Sequence, residues 1–248
     1  MEQYLEKTIK ALKSNDFDVY YAENAEAVKD IVKNLIPVKA TIGIGDSATL
    51  RQIGIANALQ EDGRVMINPY SDIIIGRMNS GEITGADQMK YCRMALSCDY
   101  FITSTNVLTE TGVLMNTDAT GNRVAGMFFG PANSIMIIGR NKIVPDIEAG
   151  YSRLRNVCGV FHSKTKQRNN PCVKGGKCFN CKSFDRLCRV TTMIEKRPMH
   201  INANVILVDE DLGLGWDQAW DQARIDAIYE GYASVTKMKR PTWLNDQR

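Results

Sequence analysis

The sequence predicts an α/β fold, a mostly parallel sheet covered by helices. Three observations carry it. Short apolar runs with strand character alternate with longer stretches of helical periodicity along most of the chain. The most apolar run, Ser134-Ile-Met-Ile-Ile-Gly139, has no polar alternation, as expected of a strand buried on both faces. Polar loops rich in Gly, Ser, Thr and Asn follow several of the strands, where an open parallel sheet places its ligands.

Taken in order, residues 2–13 carry Leu5, Ile9 and Leu12 at helical spacing, and residues 17–21 read as a short strand. Residues 25–35 form a second amphipathic helix, with Val28, Ile31, Val32 and Leu35 on one face and Pro37 beyond its end. A strand over 40–45 runs into a helix reaching about residue 59, with Asp46 or Ser47 as its N-cap. Further strands are expected at 65–68, 99–103, 112–118, 134–139, 190–196 and 204–209. Helices are expected at 86–96, 123–129, 145–158, where Pro145 would take the first helical position, and 216–232. No internal repeat or linker divides the chain, so residues 1–248 read as one domain, with a cysteine-rich metal-binding segment at 158–190.

Composition narrows the function classes. The chain is 44% hydrophobic and 24% charged, ordinary for a globular protein, and its net charge of +3 is too small to argue for nucleic acid. No apolar run approaches the ~20 residues needed to span a bilayer, and the charged start at Met1 is no signal peptide. A cytoplasmic protein without membrane or nucleic-acid partners is expected, its oligomeric state left open and a homodimer admitted. The count of seven cysteines, four of them clustered, fits metal ligation in a reducing compartment better than a disulfide scaffold.

That cluster is the strongest local chemical signal. Cys172, Cys178, Cys181 and Cys188 lie within seventeen residues at the spacing C-x5-C-x2-C-x6-C. A CxxC pair bends a short backbone around one ion or cluster, and two outlying thiols can complete a shell of four sulfurs. Gly175 and Gly176 let the first loop wrap, while Lys174, Lys177, Lys182, Arg186 and Arg189 provide a setting that suits thiolates. The x5 and x6 gaps are wider than those of most zinc ribbons, which puts an iron–sulfur cluster, [4Fe–4S], ahead of a structural zinc. Cys92, Cys98 and His200 are read as structural, and Cys158 and His162 as core or surface residues with a role as extra metal ligands left open.

Three polar loops converge on a second site. Gly43-Ile-Gly45-Asp-Ser47-Ala-Thr49 offers backbone amides to a phosphate or carboxylate, although its spacing is neither a Walker loop nor a dinucleotide fingerprint, and a capped tight turn is an equal alternative. Asn106 and Asn122 are candidate orienting donors, Arg123 an anion clamp, and Glu110 a base or nucleophile. Arg140, Asn141 and Lys142 add two cations to the same rim, of which at least one is expected to be solvated.

The stretches Ile42-Gly-Ile-Gly-Asp-Ser-Ala-Thr49-Leu-Arg-Gln-Ile-Gly54, Thr103-Ser-Thr-Asn-Val-Leu-Thr-Glu-Thr-Gly112, Asn116-Thr-Asp-Ala-Thr-Gly-Asn-Arg123, Gly130-Pro131 and Ile138-Gly-Arg-Asn-Lys-Ile-Val144, followed by the cysteine segment, resemble the lactate-utilisation (LUD) domain family over roughly residues 35 to 210. The resemblance implies a Rossmann-like sheet similar to that of the sugar-phosphate isomerases and CoA transferases. It also implies a redox role in small organic acid metabolism, beside other iron–sulfur or oxidase subunits. Glu110-Thr-Gly112 is similar to the nucleophile loop of the CoA transferases. The reading is therefore a protein that binds an anionic small molecule beside a cysteine-held cluster. The alternatives are an isomerase or acyl-transfer enzyme using Glu110 with a structural zinc, and a non-catalytic subunit of an oxidase complex.

Overall fold

A computed structural model of the chain describes residues 2–236. Its strands are β1 (Asp18–Ala22), β2 (Ile42–Ile44), β3 (Met66–Ile67), β4 (Tyr100–Thr103), β5 (Val107–Thr109), β6 (Leu114–Asp118), β7 (Asn133–Gly139), β8 (Ile143–Val144), β9 (Val190–Ile194) and β10 (Asn202–Val208). Six of them form a sheet in the order β1-β10-β7-β4-β2-β3, and every pairing in it is parallel. The expected α/β fold is thus observed.

Parallel strands need crossovers, and the helices that supply them bury both faces of the sheet. The period-two alternation of β7 and β10 shows it directly. Ile135, Ile137, Ile206 and Val208 pack with Val28 and Val32 of the helix Ala25–Leu35 and with Leu50, Ile55 and Leu59 of the helices Ala48–Ile53 and Ile55–Glu61. Met136, Ile138, Ala203, Val205 and Leu207 face the other way, onto Leu5 and Leu12 of the helix Gln3–Ser14 and Val124 and Met127 of the helix Asn122–Phe128. A continuous apolar run is what such a doubly covered strand requires.

The remaining strands build a second sheet, in the order β8-β5-β6-β9. Here β5 and β8 are parallel, while β6 runs antiparallel to both β5 and β9. One face (Leu108, Leu114, Ile143, Ile194) joins the second of those clusters, and the other (Val107, Met115, Val144) packs on Leu154 and Cys158. This sheet was not expected from the sequence, because β5 and β8 are too short to register as periodic segments. Both grow directly out of main-sheet strands. The chain leaves β4 through Ser104–Asn106 to enter β5, and leaves β7 through a single turn at Arg140–Lys142 to enter β8.

Several expected boundaries shift for local reasons. The helix expected to reach residue 59 breaks at Gly54, whose φ of 71° ends one helix and starts the next. Pro145 lies outside its helix, and Asp146 is the N-cap, its side chain accepting from Ala149 N–H. That helix, Ile147–Arg153, runs on through a wider turn at Leu154–Cys158 into Gly159–Thr165. The last helix begins at Gln222 instead of Trp216, and Trp216 packs against Phe161 with ring centroids 4.6 Å apart. The helix Asp72–Asn79 was not anticipated.

Gly43 and Gly45 have a packing function at β2. A Cβ at Gly43 would lie 2.1 Å from the backbone oxygen of Ala95, in the helix Gly85–Ala95, and one at Gly45 would meet Thr103 Oγ1 and the ring of Phe101. Gly43→Ala should therefore force helix and strand apart and cost about 1–3 kcal/mol. The check is a lower urea midpoint with an unchanged m-value; an unshifted midpoint refutes the contact.

Candidate functional site

The strands β2, β4, β7 and β10 run parallel, so the loops at their C-terminal ends meet at one edge of the sheet. A cavity of about 890 Å³ opens there. Ser47, Thr49, Asn106, Asn122, Arg123 and Lys142 of the expected site line it, together with Ser104, Thr105, Tyr70, Cys158, His162, Gly213 and Cys188. Its charged lining is uneven: Arg51, Arg123, Lys142, Lys166, Arg168, Arg186 and Arg189 stand against Asp46, Asp118 and Asp185. Ser47 is the N-cap here, its side chain accepting from Leu50 N–H.

Lys142 forms the floor. Its Nζ donates to Thr49 Oγ1 at 2.7 Å, Ser104 Oγ at 2.6 Å and the backbone oxygen of Thr105 at 3.0 Å. The side chain thereby joins the ends of β2, β4 and β7, and Gly213, at φ 74°, brings the loop after β10 against the same ammonium. Lys142 is 4% exposed, and among the described residues no carboxylate pairs with it. Burial lowers its pKa to about 7, the neighbouring Cys158 raising it and Arg123 lowering it further. The expectation that Arg140 or Lys142 would be solvated is not met. Arg140 is paired with Asp209 and Asp211, both at 3.1 Å.

Arg123 is saturated by the protein itself. Nη1 donates to Ser104 O and Asn116 Oδ1, Nη2 to Asn106 Oδ1 and Thr117 O, and Nε is 3.2 Å from Asp118 Oδ2. With five donors directed at five acceptors, its role is to hold the turn between β4 and β5 against β6. Asn106 belongs to the same network, also accepting from Thr117 N–H, whereas Asn122 donates to the Tyr70 hydroxyl at 2.8 Å.

Four expected residues lie elsewhere. The Glu110 carboxylate is 2.7 Å from Lys7 Nζ, outside the cavity lining. Asn141 is fully buried, holding Leu212 N–H and Gly215 O, so it anchors the loop after β10 without lining the cavity. Gly43 and Gly45 likewise sit beneath the cavity among packed side chains and present no backbone to it.

The sequence reading missed the opposite wall. Arg51 pairs with Asp46 at 2.6 Å. Burial works to raise the Asp46 carboxyl, but Arg51 and then Lys166 outweigh it and hold it well below the usual carboxylate range. His162 shares a hydrogen bond with the Tyr232 hydroxyl, and burial, then Lys166, pushes it down to about 3, so the ring stays neutral. The available signal was the basic run Lys164–Arg168 just beyond His162, which falls past the expected end of the helix and inside the segment 158–190 that was read for its cysteines.

Three cysteines of the quartet lie outside this lining, but the segment touches it. Cys188 lines the cavity beside Gly159, and Cys178 lines a shallower hollow with Tyr151, Arg155 and Asn180. Burial pushes the Cys172 thiol up, with Cys181 and Cys188 near enough to add to the shift. Asn180, at φ 44°, directs its N–H to Cys178 Sγ at 3.4 Å, and Arg186 donates to the backbone oxygens of Cys181 and Cys188. As a donor set the four thiols suit a thiophilic metal or cluster. Among the described residues, however, no three Cys, His, Asp or Glu side chains gather as a metal shell needs.

The model of the LUD domain matches residues 5–208. The chain belongs to the LUD domain family. The match spans both sheets and all the strands that frame the cavity. No curated protein matches this LUD-domain chain. Its fold is similar to the crystal structure of a DUF162 family protein from Deinococcus radiodurans, with 14% identity and a TM-score of 0.45 over 83% of this chain and 96% of that one. No helix among the described residues is long and apolar enough to cross a membrane.

The unpaired Lys142 has a measurable consequence. Its folded pKa lies below that of an unfolded lysine, so between about pH 7 and 10.5 the unfolded chain binds the extra proton and stability rises with pH. From pH 7 to 9.5 the wild type should gain about 3 kcal/mol relative to Lys142→Met. Urea titrations of both proteins at the two pH values test this, and parallel curves would refute the buried, unpaired amine.

Proposed function

We propose that this LUD-family protein binds an anionic small molecule of organic acid metabolism in the cavity, and that the cysteine segment on its rim holds an iron–sulfur cluster. One observation carries the first half: among the described residues, the cavity lining has seven Lys and Arg side chains against three Asp. Low-dielectric walls focus such an excess, which attracts carboxylates and phosphates and favours their binding. A volume of about 890 Å³ accommodates ligands well above the size of lactate.

Support for the second half is chemical. The segment offers four free thiols, an N–H already directed at Cys178 Sγ, and cations whose wall continues into the cavity through Arg186 and Arg189. A bound cluster would supply one-electron transfer beside the ligand. This is the lactate-utilisation-like redox role, with other iron–sulfur or oxidase subunits as electron partners. The alternative of acyl transfer by Glu110 loses its geometric basis, since that carboxylate pairs with Lys7 outside the cavity.

Protein isolated without oxygen should be coloured and contain iron and acid-labile sulfide, both reduced in Cys178→Ala. Stoichiometric zinc without sulfide, or a colourless protein lacking both metals, would overturn the cluster. Calorimetry at low ionic strength with lactate, pyruvate and inorganic phosphate should show binding that weakens with added salt. Lys166→Gln should weaken it about tenfold, the loss of one charged contact, and Glu110→Gln should not change it. No binding by any of these anions in the wild type would count against the cavity reading.

A further inference from the structure

Among the described residues that line the cavity, one buried amine lies directly against a serine hydroxyl. Asp46 is held ionised by Arg51 and Asp118 is engaged by Arg123 and by Thr120 and Gly121 N–H, while His162 stays neutral against Tyr232. Cys158 is buried, and its thiol is pushed up to about 11. Glu110 lies outside. Lys142 differs from these in its contact: its Nζ is 2.6 Å from Ser104 Oγ on the cavity floor.

The surroundings of Nζ decide how it acts. Its three non-carbon directions are taken by Thr49 Oγ1, Ser104 Oγ and Thr105 O, leaving none for attack on a carbonyl. When the amine is neutral, Thr105 O and Thr49 Oγ1 can accept its two hydrogens, and its lone pair is then directed at the Ser104 hydroxyl. We propose that Ser104 is a nucleophile and Lys142 its general base, a serine–lysine pair acting on an acyl ester or thioester that carries an anionic group. Ser104 Oγ bonds to the acyl carbon, its proton passes to Lys142 Nζ, and the C–O or C–S bond breaks. Lys142 returns the proton to the departing alkoxide or thiolate. Water or a second acceptor then takes the acyl group from Ser104. The titratable groups facing this pair are the charged Arg123, whose Nη1 binds Ser104 O, and the neutral Cys158 thiol. The cation excess of the cavity favours the oxyanion formed during attack.

The pair depends on reading the cavity as a ligand site, and the test separates the two. An uncharged alkyl fluorophosphonate is the probe: Ser104 Oγ displaces fluoride from phosphorus and Lys142 accepts the serine proton. Peptide mass spectrometry should find the adduct on Ser104, with a labelling rate that rises through a midpoint near pH 7. Lys142→Met should slow labelling roughly a hundredfold or more, the usual weight of a general base, and Ser104→Ala should abolish it, with circular dichroism confirming that both variants fold. Absence of a Ser104 adduct on the folded wild type between pH 6 and 9 would overturn the pair. So would an adduct on Lys142 itself, or labelling of Ser104 at an equal rate in Lys142→Met. Persistent anion binding by calorimetry in either case would leave the cavity reading standing.

Discussion

An ammonium group removed from water and held by three oxygens is the contact on which the cavity depends. Lys142 Nζ binds Thr49, Ser104 and Thr105, so one side chain joins the ends of β2, β4 and β7. Burying a charge without a counter-ion costs several kcal/mol, and only full hydrogen bonding makes it tolerable. Thr49 is in place because Ser47 caps its helix, Ser104 because Arg123 holds its carbonyl, and Lys142 because the turn after β7 is a single tight one. The fold therefore spends stability on the part of the molecule that faces the cavity, as preorganised sites do.

The second sheet explains why those loops are rigid. A parallel strand in a doubly wound sheet usually ends in an open loop followed by a helix. In this protein β4 and β7 lead within three residues into β5 and β8, and the two extensions pair with each other. Ser104–Asn106 and Arg140–Lys142 are thus clamped at both ends by hydrogen-bonded strands. Their backbone groups still need partners, which Arg123, Asn116 and Arg153 supply from neighbouring elements. Buried polar side chains at these crossings are the consequence of turning a chain sharply inside a protein.

Much of this was legible in the sequence, and what was not has physical causes. The helix at residues 25–35 and the strand around 134–139 are strongly periodic or uniformly apolar, so local pattern alone defines them. The polar loops 47–49, 104–106 and 122–123 were found because strand ends announce them. Glu110 was misplaced for a reason of topology. It looks adjacent to Asn106 in sequence, but three residues of β5 intervene, and it ends beside Lys7 of the first helix. Arg123 and Lys142 looked alike as cations near glycines; only tertiary contacts distinguish the saturated structural guanidinium from the amine on the cavity floor. His162 belongs to a helix whose extension past residue 158 depends on a wider turn that carries no sequence signature, and Lys166 and Arg168 directly follow that helix.

The cysteine segment and the cavity share a wall, and this couples their electrostatics. Arg186 and Arg189 line the cavity while Arg186 binds the backbone of Cys181 and Cys188 and Arg189 binds that of Phe184. Any change of charge at the thiols alters the field felt at the cavity rim, since groups separated by less than the ~8–10 Å screening length still interact. An anion bound in the cavity, as proposed, would in turn offset the repulsion among the cations that hold this segment. Whatever binds at either place must therefore change the affinity of the other by the same factor, because coupling between two sites is reciprocal. Cys188, lying beside Gly159 and within the cavity lining, is where that coupling has the shortest path.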